Sequence, residues 1–197
     1  MGGKIYQLST QKFSTYLVKI DIAGIVQWSK LYNNSPDPSN YNVFDIKKTN
    51  DNGFVFVSEN VAGVVNGYIG ADYDASLTKI DSSGNPLWAM AYGSSPGNGV
   101  DWPRSVKQTV DSGFILTGYT TLLGNPVDGA SNIYLIKTDK NGMSGCNEAS
   151  YPVIDSVVIT QRTPGGVSAN YGVQAGGNPI VSNNSPFQSN LCLQLGQ

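Results

Sequence analysis

A chain of 197 residues that is 40% hydrophobic and 13% charged has enough apolar material for a core and too little charge for the disordered class. A net charge of −2 and a pI of about 4.9 exclude a dedicated nucleic-acid binder, since phosphate recognition needs concentrated Lys and Arg; no apolar run approaches the roughly 20 residues that cross a bilayer. The absence of histidine excludes His-based triads and His-ligated metals and leaves carboxylates as the main catalytic route.

Against an average glycine usage of about 7%, 23 glycines with 10 prolines and 11 tyrosines predict many short strands joined by turns. No long stretch carries a 3.6-residue apolar stripe. Short runs such as YLVKI, GFVFVS, GFILTGY and NIYLIKT are instead rich in β-branched and aromatic residues, so the chain reads as all-β.

In chain order, the opening MGGKIYQLST lacks the apolar core of a signal peptide; a secreted form would have lost its signal upstream, or the chain is an excerpt of a longer protein. From Gly3, GKIYQLST resembles the later GFVFVSE, which predicts a start inside a structural unit. The main landmark follows. KIDIAGIVQWSKLYN returns as KIDSSGNPLWAMAYG, with Lys19, Asp21, Gly24 and Trp28 each 60 residues before Lys79, Asp81, Gly84 and Trp88. A third copy begins 58 residues further with Lys137, Asp139 and Gly142, but no Trp follows. A second landmark keeps the same step, KKTNDNGFVFVSE around Asp51 and Gly53 returning as KQTVDSGFILTGY around Asp111 and Gly113.

Each unit divides into four strands: the Trp strand, a DIKKT or SVKQT strand, a GFVFV strand and a YLVKID strand. Ten strands precede the tail, or two and a half sheets of four, and four-stranded units at this period suggest blades of a β-propeller. The expected organisation is therefore antiparallel blades of a partial or oligomer-completed propeller over residues 1–142, then a Gly-, Asn- and Ser-rich, irregular β tail over residues 143–197. Within the tail, PVIDSVVITQ is a candidate additional strand.

Turn chemistry accounts for the recurring letters. TNDNGF and TVDSGF place Asp and Gly where a tight hairpin needs a side chain that bonds its own backbone and then a residue tolerating positive φ. DIAG, DSSG and DKNG form the other tight turn, with Asp21, Asp81 and Asp139 as turn formers and Gly24, Gly84 and Gly142 as left-handed positions. Trp28 and Trp88 are large enough to fill the gap between adjacent sheets.

Cys146 and Cys192 are too far apart for a Cys-x-x-Cys redox or zinc pair. A disulfide closing a loop of about 45 residues is one reading, worth a few kcal/mol by chain-entropy arguments. Two unpaired buried thiols are the other.

The pattern Lys-Ile-Asp-x-x-Gly-x-x-x-Trp, followed by Asp-x-Gly-Phe and an apolar strand, resembles secreted bacterial proteins with a β-propeller unit of about 60 residues, similar in appearance to quinoprotein-like propellers. The likeness covers residues 3 to 142. KTDKNGMSGCNE, from Lys137 to Glu148, is similar to the end of the propeller in Bacteroidetes-type surface proteins, where a Cys-containing tail follows. The likeness implies an extracellular or bacterial cell-surface location. Sialidase Asp-boxes differ in spacing by one residue, and no cofactor-binding residue of the quinoprotein enzymes has a counterpart here, so neither activity is implied.

Up-and-down strands send the long loops to one end and the tight Asp-Gly turns to the other. The long loops, 33–42, 60–75, 93–103 and 120–131, carry Tyr41, Tyr68, Tyr73 and Trp102 with Asp72, Asp74, Asp101 and Asp128. Aromatics beside acids stack on sugars or anchor a protein partner, and loops on a rigid scaffold are where binding usually resides. The expectation is a non-enzymatic module for recognition, adhesion or surface assembly, binding protein or glycan there, with other copies or the rest of a longer chain completing the propeller. Competing expectations are a structural subunit of a filament or lattice and a carboxylate-based polysaccharide hydrolase or lyase using a pair such as Asp72 and Asp101. No cofactor is expected; Asp72 and Asp74 of DYD are the residues that would contribute to a calcium site.

Overall fold

The computed structural model describes residues 2–7, 12–34, 42–61, 73–93, 99–121, 131–146, 148–150, 153–156, 161–162 and 166–167. All regular structure among them is β. Three strands form the first sheet in chain order, β1 (Gly2–Gln7), β2 (Lys12–Ile20) and β3 (Val26–Asn34). Four form the second, β4 (Val43–Lys48), β5 (Phe54–Val61), β6 (Tyr73–Ile80) and β7 (Pro86–Tyr92). A third holds β8 (Asp101–Gln108), β9 (Phe114–Thr120) and β10 (Asn132–Thr138). Every pairing between these strands is antiparallel.

Strand alternation turns one face of each sheet toward its neighbour. Leu17, Tyr32, Phe56 and Ile80, with Trp28, Val43, Ile46 and Phe54 against them, join the first sheet to the second. Val55, Val57, Leu77, Met90 and Tyr92 meet Val106, Phe114, Leu116 and Ile136 between the second and third. Each such buried side chain contributes roughly 1.5–3 kcal/mol, so these two interfaces are the core of the molecule. Polar contacts stitch the first strands of successive units together: Ser105 Oγ and the Val106 amide donate to Asp45 Oδ2 at 2.7 and 3.1 Å, and the Asn50 amide donates to Gln108 Oε1 at 2.9 Å.

The half-copy at the start does not superpose on the later one letter by letter. Val57 stands opposite Leu77, but the residue opposite the equivalent Leu17 is Gly2. A match of Gly3 to Gly53 would place β1 against the Ile20 end of β2, whereas it pairs with the Lys12 end. The connection between Gln7 and Lys12 is short, and a short hairpin connection determines register.

The tail uses the outer edges of the repeat sheets. β11 (Glu148–Ser150) pairs antiparallel with β7, and β12 (Val153–Ser156), from the PVIDSVVITQ run, pairs antiparallel with β3. Both Trp strands thus gain a partner where an edge would otherwise expose unpaired backbone groups. β13 (Gln161–Arg162) and β14 (Gly166–Val167) form a separate small ladder.

Candidate functional site at the loop end

The two ends of the strands are chemically different, and the tight-turn end is built from repeated self-bonding motifs. Asp21 Oδ1 accepts from the Ala23 and Ile25 amides at 2.9 Å each, Asp81 Oδ1 from Ser83 and Asn85 at 2.8 Å each, and Asp139 Oδ1 from Asn141 and Met143 at 2.8 Å each. Gly24, Gly84 and Gly142 follow at φ of 81°, 83° and 82°. A Cβ at Gly84 would press on Trp28 and Tyr32, and one at Gly142 on Trp88 and Met90. Trp28 meets Phe54 edge-on at 6.2 Å and Trp88 meets Phe114 edge-on at 5.8 Å. Trp28 also donates from Nε1 to the Ser82 carbonyl at 3.0 Å.

The second turn corrects an expectation. Positive φ falls on Asn52 (63°) and Ser112 (66°), not on Gly53 and Gly113. The two glycines are required by a close approach instead: a Cβ at Gly53 would collide with Lys79 Nζ and the Ile80 carbonyl, and one at Gly113 with Lys137 Nζ and the Thr138 carbonyl. Asp51 accepts from Thr49 Oγ1 at 2.5 Å and from the Gly53 amide at 3.0 Å, and pairs with Lys79 at 2.9 Å. The Thr49 and Lys79 hydrogen bonds hold its carboxyl at about 2, below the usual carboxylate range. Asp111, Thr109 and Lys137 repeat the set.

At the opposite end, Tyr41, Tyr68, Asp72 and Asp128 lie outside the described residues. Tyr73, Asp74, Asp101 and Trp102 do not lie on loops. Tyr73 and Asp74 open β6, and Asp101 and Trp102 open β8, because the ladders continue past the apolar runs. Asp74 and Asp101 are buried. Tyr73 bridges to Val100, and its ring meets Trp102 at 6.4 Å; Trp102 in turn meets Tyr119 of β9 at 5.2 Å, both edge-on. Arg104 lies over Phe44 at 5.2 Å and over Tyr119 at 5.0 Å. Tyr73, Trp102 and Tyr119, flanked by Arg104, thus form one aromatic row mounted on strands.

On the core-facing side of the same sheet, opposite Tyr119, burial pushes the Tyr134 hydroxyl up, and the charges of Asp101, Asp74 and Glu148 push it further. Burial also raises Glu59, which accepts from Asn42 Nδ2 at 2.7 Å. Sequence reasoning missed Glu59, Arg104, Tyr119 and Tyr134. No local sequence signal marks them, because cross-strand register is what pairs Trp102 with Tyr119 and Gly118 with Tyr134. Among the described residues no group of three or more acidic or Cys side chains converges as a metal cage. Cys146 is half-buried next to Ser144, whose Oγ donates to its carbonyl at 2.9 Å; Cys192 lies outside the described residues. No helix among the described residues is long and apolar enough to cross a membrane.

Fold and site together define an all-β protein whose antiparallel sheets carry an aromatic row at their loop end. No family model matches the chain, and no curated protein matches it.

Proposed function

We propose that the chain is a non-enzymatic extracellular or cell-surface recognition module of the β-propeller type, binding a protein or glycan at its loop end. The observation that carries this reading is the aromatic row of Tyr73, Trp102 and Tyr119 with the Arg104 guanidinium alongside. Stacked on strands, these rings lose little entropy on binding, and aromatic and Arg side chains dominate the energetics of recognition surfaces. The resemblance of the 60-residue unit to secreted bacterial propeller proteins supports the location and the blade assignment. A disulfide between Cys146 and Cys192 belongs to the same proposal, since an oxidising compartment favours it; intact mass before and after reduction and alkylation tests it.

A polysaccharide hydrolase is the poorer reading, because Asp101, one member of its candidate pair, is buried. The test is a screen of the full chain against glycans and surface-protein extracts, repeated with Trp102→Ala and Arg104→Ala. Ligand capture weakened about tenfold or more by Trp102→Ala supports the reading, that factor being roughly 1.4 kcal/mol. Capture indifferent to both substitutions, or turnover of a polysaccharide, overturns it.

A further inference from the structure

Every unit carries a leucine at the same place, and its environment depends on its position in the stack. Leu17 and Leu77 are 0% exposed, whereas Leu135, their counterpart in the third sheet, is 61% exposed. Ile133, standing where the second sheet has buried Ala75, is 88% exposed. In the second sheet these positions are covered by the third sheet; nothing among the described residues does the same for the third. At the other end of the stack Ile20 is 40% exposed, while its counterpart Ile80 is buried between the first two sheets. Ile22 and Ile25 are exposed there too, where the second sheet has the polar Ser82 and Asn85.

Exposed large apolar side chains are therefore not scattered. Among the described residues four lie in the first sheet and its turn, four in the third sheet and its turns, and Leu87 alone in the middle one. Scattered single apolar residues need no explanation, but Ile20, Ile133 and Leu135 stand at positions whose counterparts Ile80, Ala75 and Leu77 are buried, and these three point to a missing neighbour.

We infer that the outward face of the β8–β9–β10 sheet, through Ile133 and Leu135, is a docking surface for the first sheet of a second copy of this chain, which presents Ile20 and Ile22. The occupant is identified by the molecule itself. Its internal interfaces already pack the Leu17 and Leu77 side of one sheet against the Ile80 and Ile136 side of the next, and a second copy offers the same pair of surfaces at its free ends. Two chains joined head to tail at both junctions form a closed pair. No Trp follows Gly142 to match Trp28 and Trp88, so each new junction lacks the largest side chain of the internal ones and the pair dissociates reversibly on dilution. This inference stands on the repeat, and the docking face borders the aromatic row, since Ile133 pairs directly with Tyr119; its test is therefore made on the chain without ligand.

Sedimentation of the full chain over a wide concentration range tests it, with Leu135→Asp, Ile20→Asp and, as a control in the middle sheet, Leu87→Asp. All three sites are exposed in the single chain, so each variant retains the wild-type circular dichroism spectrum. The wild type is expected to approach twice the 21.0 kDa chain mass. Leu135→Asp and Ile20→Asp each weaken association by roughly tenfold or more, because a charge replaces apolar burial at both junctions. Mixing the two variants restores part of the association, since the mixed pair keeps one fully wild-type junction. A wild type that stays at single-chain mass throughout overturns the inference. So does a Leu87→Asp effect as large as that of Leu135→Asp, or a mixture that associates no better than either variant alone.

Discussion

Tyr32 donates its hydroxyl to the Gly84 carbonyl at 2.7 Å, and sixty residues later Tyr92 donates to the Gly142 carbonyl at 2.6 Å. Each bond runs from the Trp strand of one sheet to the tight turn of the next, so one side chain fastens both the sheet face and the turn that follows it. The acceptor glycine is also the left-handed residue pressed beneath the Trp of the preceding sheet. Turn conformation, ring packing and hydrogen bond therefore depend on the same atoms.

Removing only the hydroxyl isolates the bond. Tyr92→Phe keeps the ring in the core and leaves a buried carbonyl without its donor, at a cost of about 1–3 kcal/mol. Tyr32→Phe has the same effect at the other interface. Urea denaturation midpoints measure both, and a double variant that loses about the sum supports independent interfaces.

Asp51 and Asp111 occupy equivalent turns with equivalent partners, but their lysines differ in exposure. The Lys79 side chain is 6% exposed and Lys137 is 47% exposed. Asp51→Ala strands a buried ammonium and is expected to cost about 2 kcal/mol or more, less than a fully buried pair because Asp51 itself is largely exposed. Asp111→Ala leaves Lys137 in water and costs clearly less. Equal losses in parallel denaturation curves would show that the third-sheet lysine is also covered in solution.

The same carboxylate produces a pH dependence. The folded-state value for Asp51 is depressed to about 2, so its contribution is fully present above the unfolded value of ~3.9 and is lost as pH falls toward the folded value. Between those limits the wild type loses stability with acid. Asp51→Asn is less stable at neutral pH but has a flatter acid limb, which a series of thermal melts against pH checks.

Backbone strain and close approach have been separated between adjacent residues in the hairpin turns. Ser112 holds φ at 66° without being glycine, so Ser112→Gly is expected to stabilise by about 0.5–1 kcal/mol. Gly113→Ala forces a Cβ into the Thr138 carbonyl and destabilises by about 2 kcal/mol or more. Opposite signs at neighbouring positions, read from thermal midpoints, distinguish this arrangement from one in which the glycine supplies the left-handed conformation.

The sequence by itself determined what is local and periodic. Strand type follows from runs such as GFVFV and YLVKI, unit length from the spacing of Asp21, Gly24 and Trp28 to Asp81, Gly84 and Trp88, and the DIAG-type turns from side chains that bond amides two and four residues away. Those interactions span a few residues, so their signature is contiguous. The tertiary structure decided what depends on pairing between distant strands. Register converted Tyr73, Asp74, Asp101 and Trp102 from loop residues into strand ends and brought Tyr119 and Arg104 to the site, and the tail strands β11 and β12 found the outer edges of β7 and β3. Three leucines written alike along the chain became two core residues and one exposed one, because burial depends on which sheet lies opposite, which a local sequence pattern does not encode.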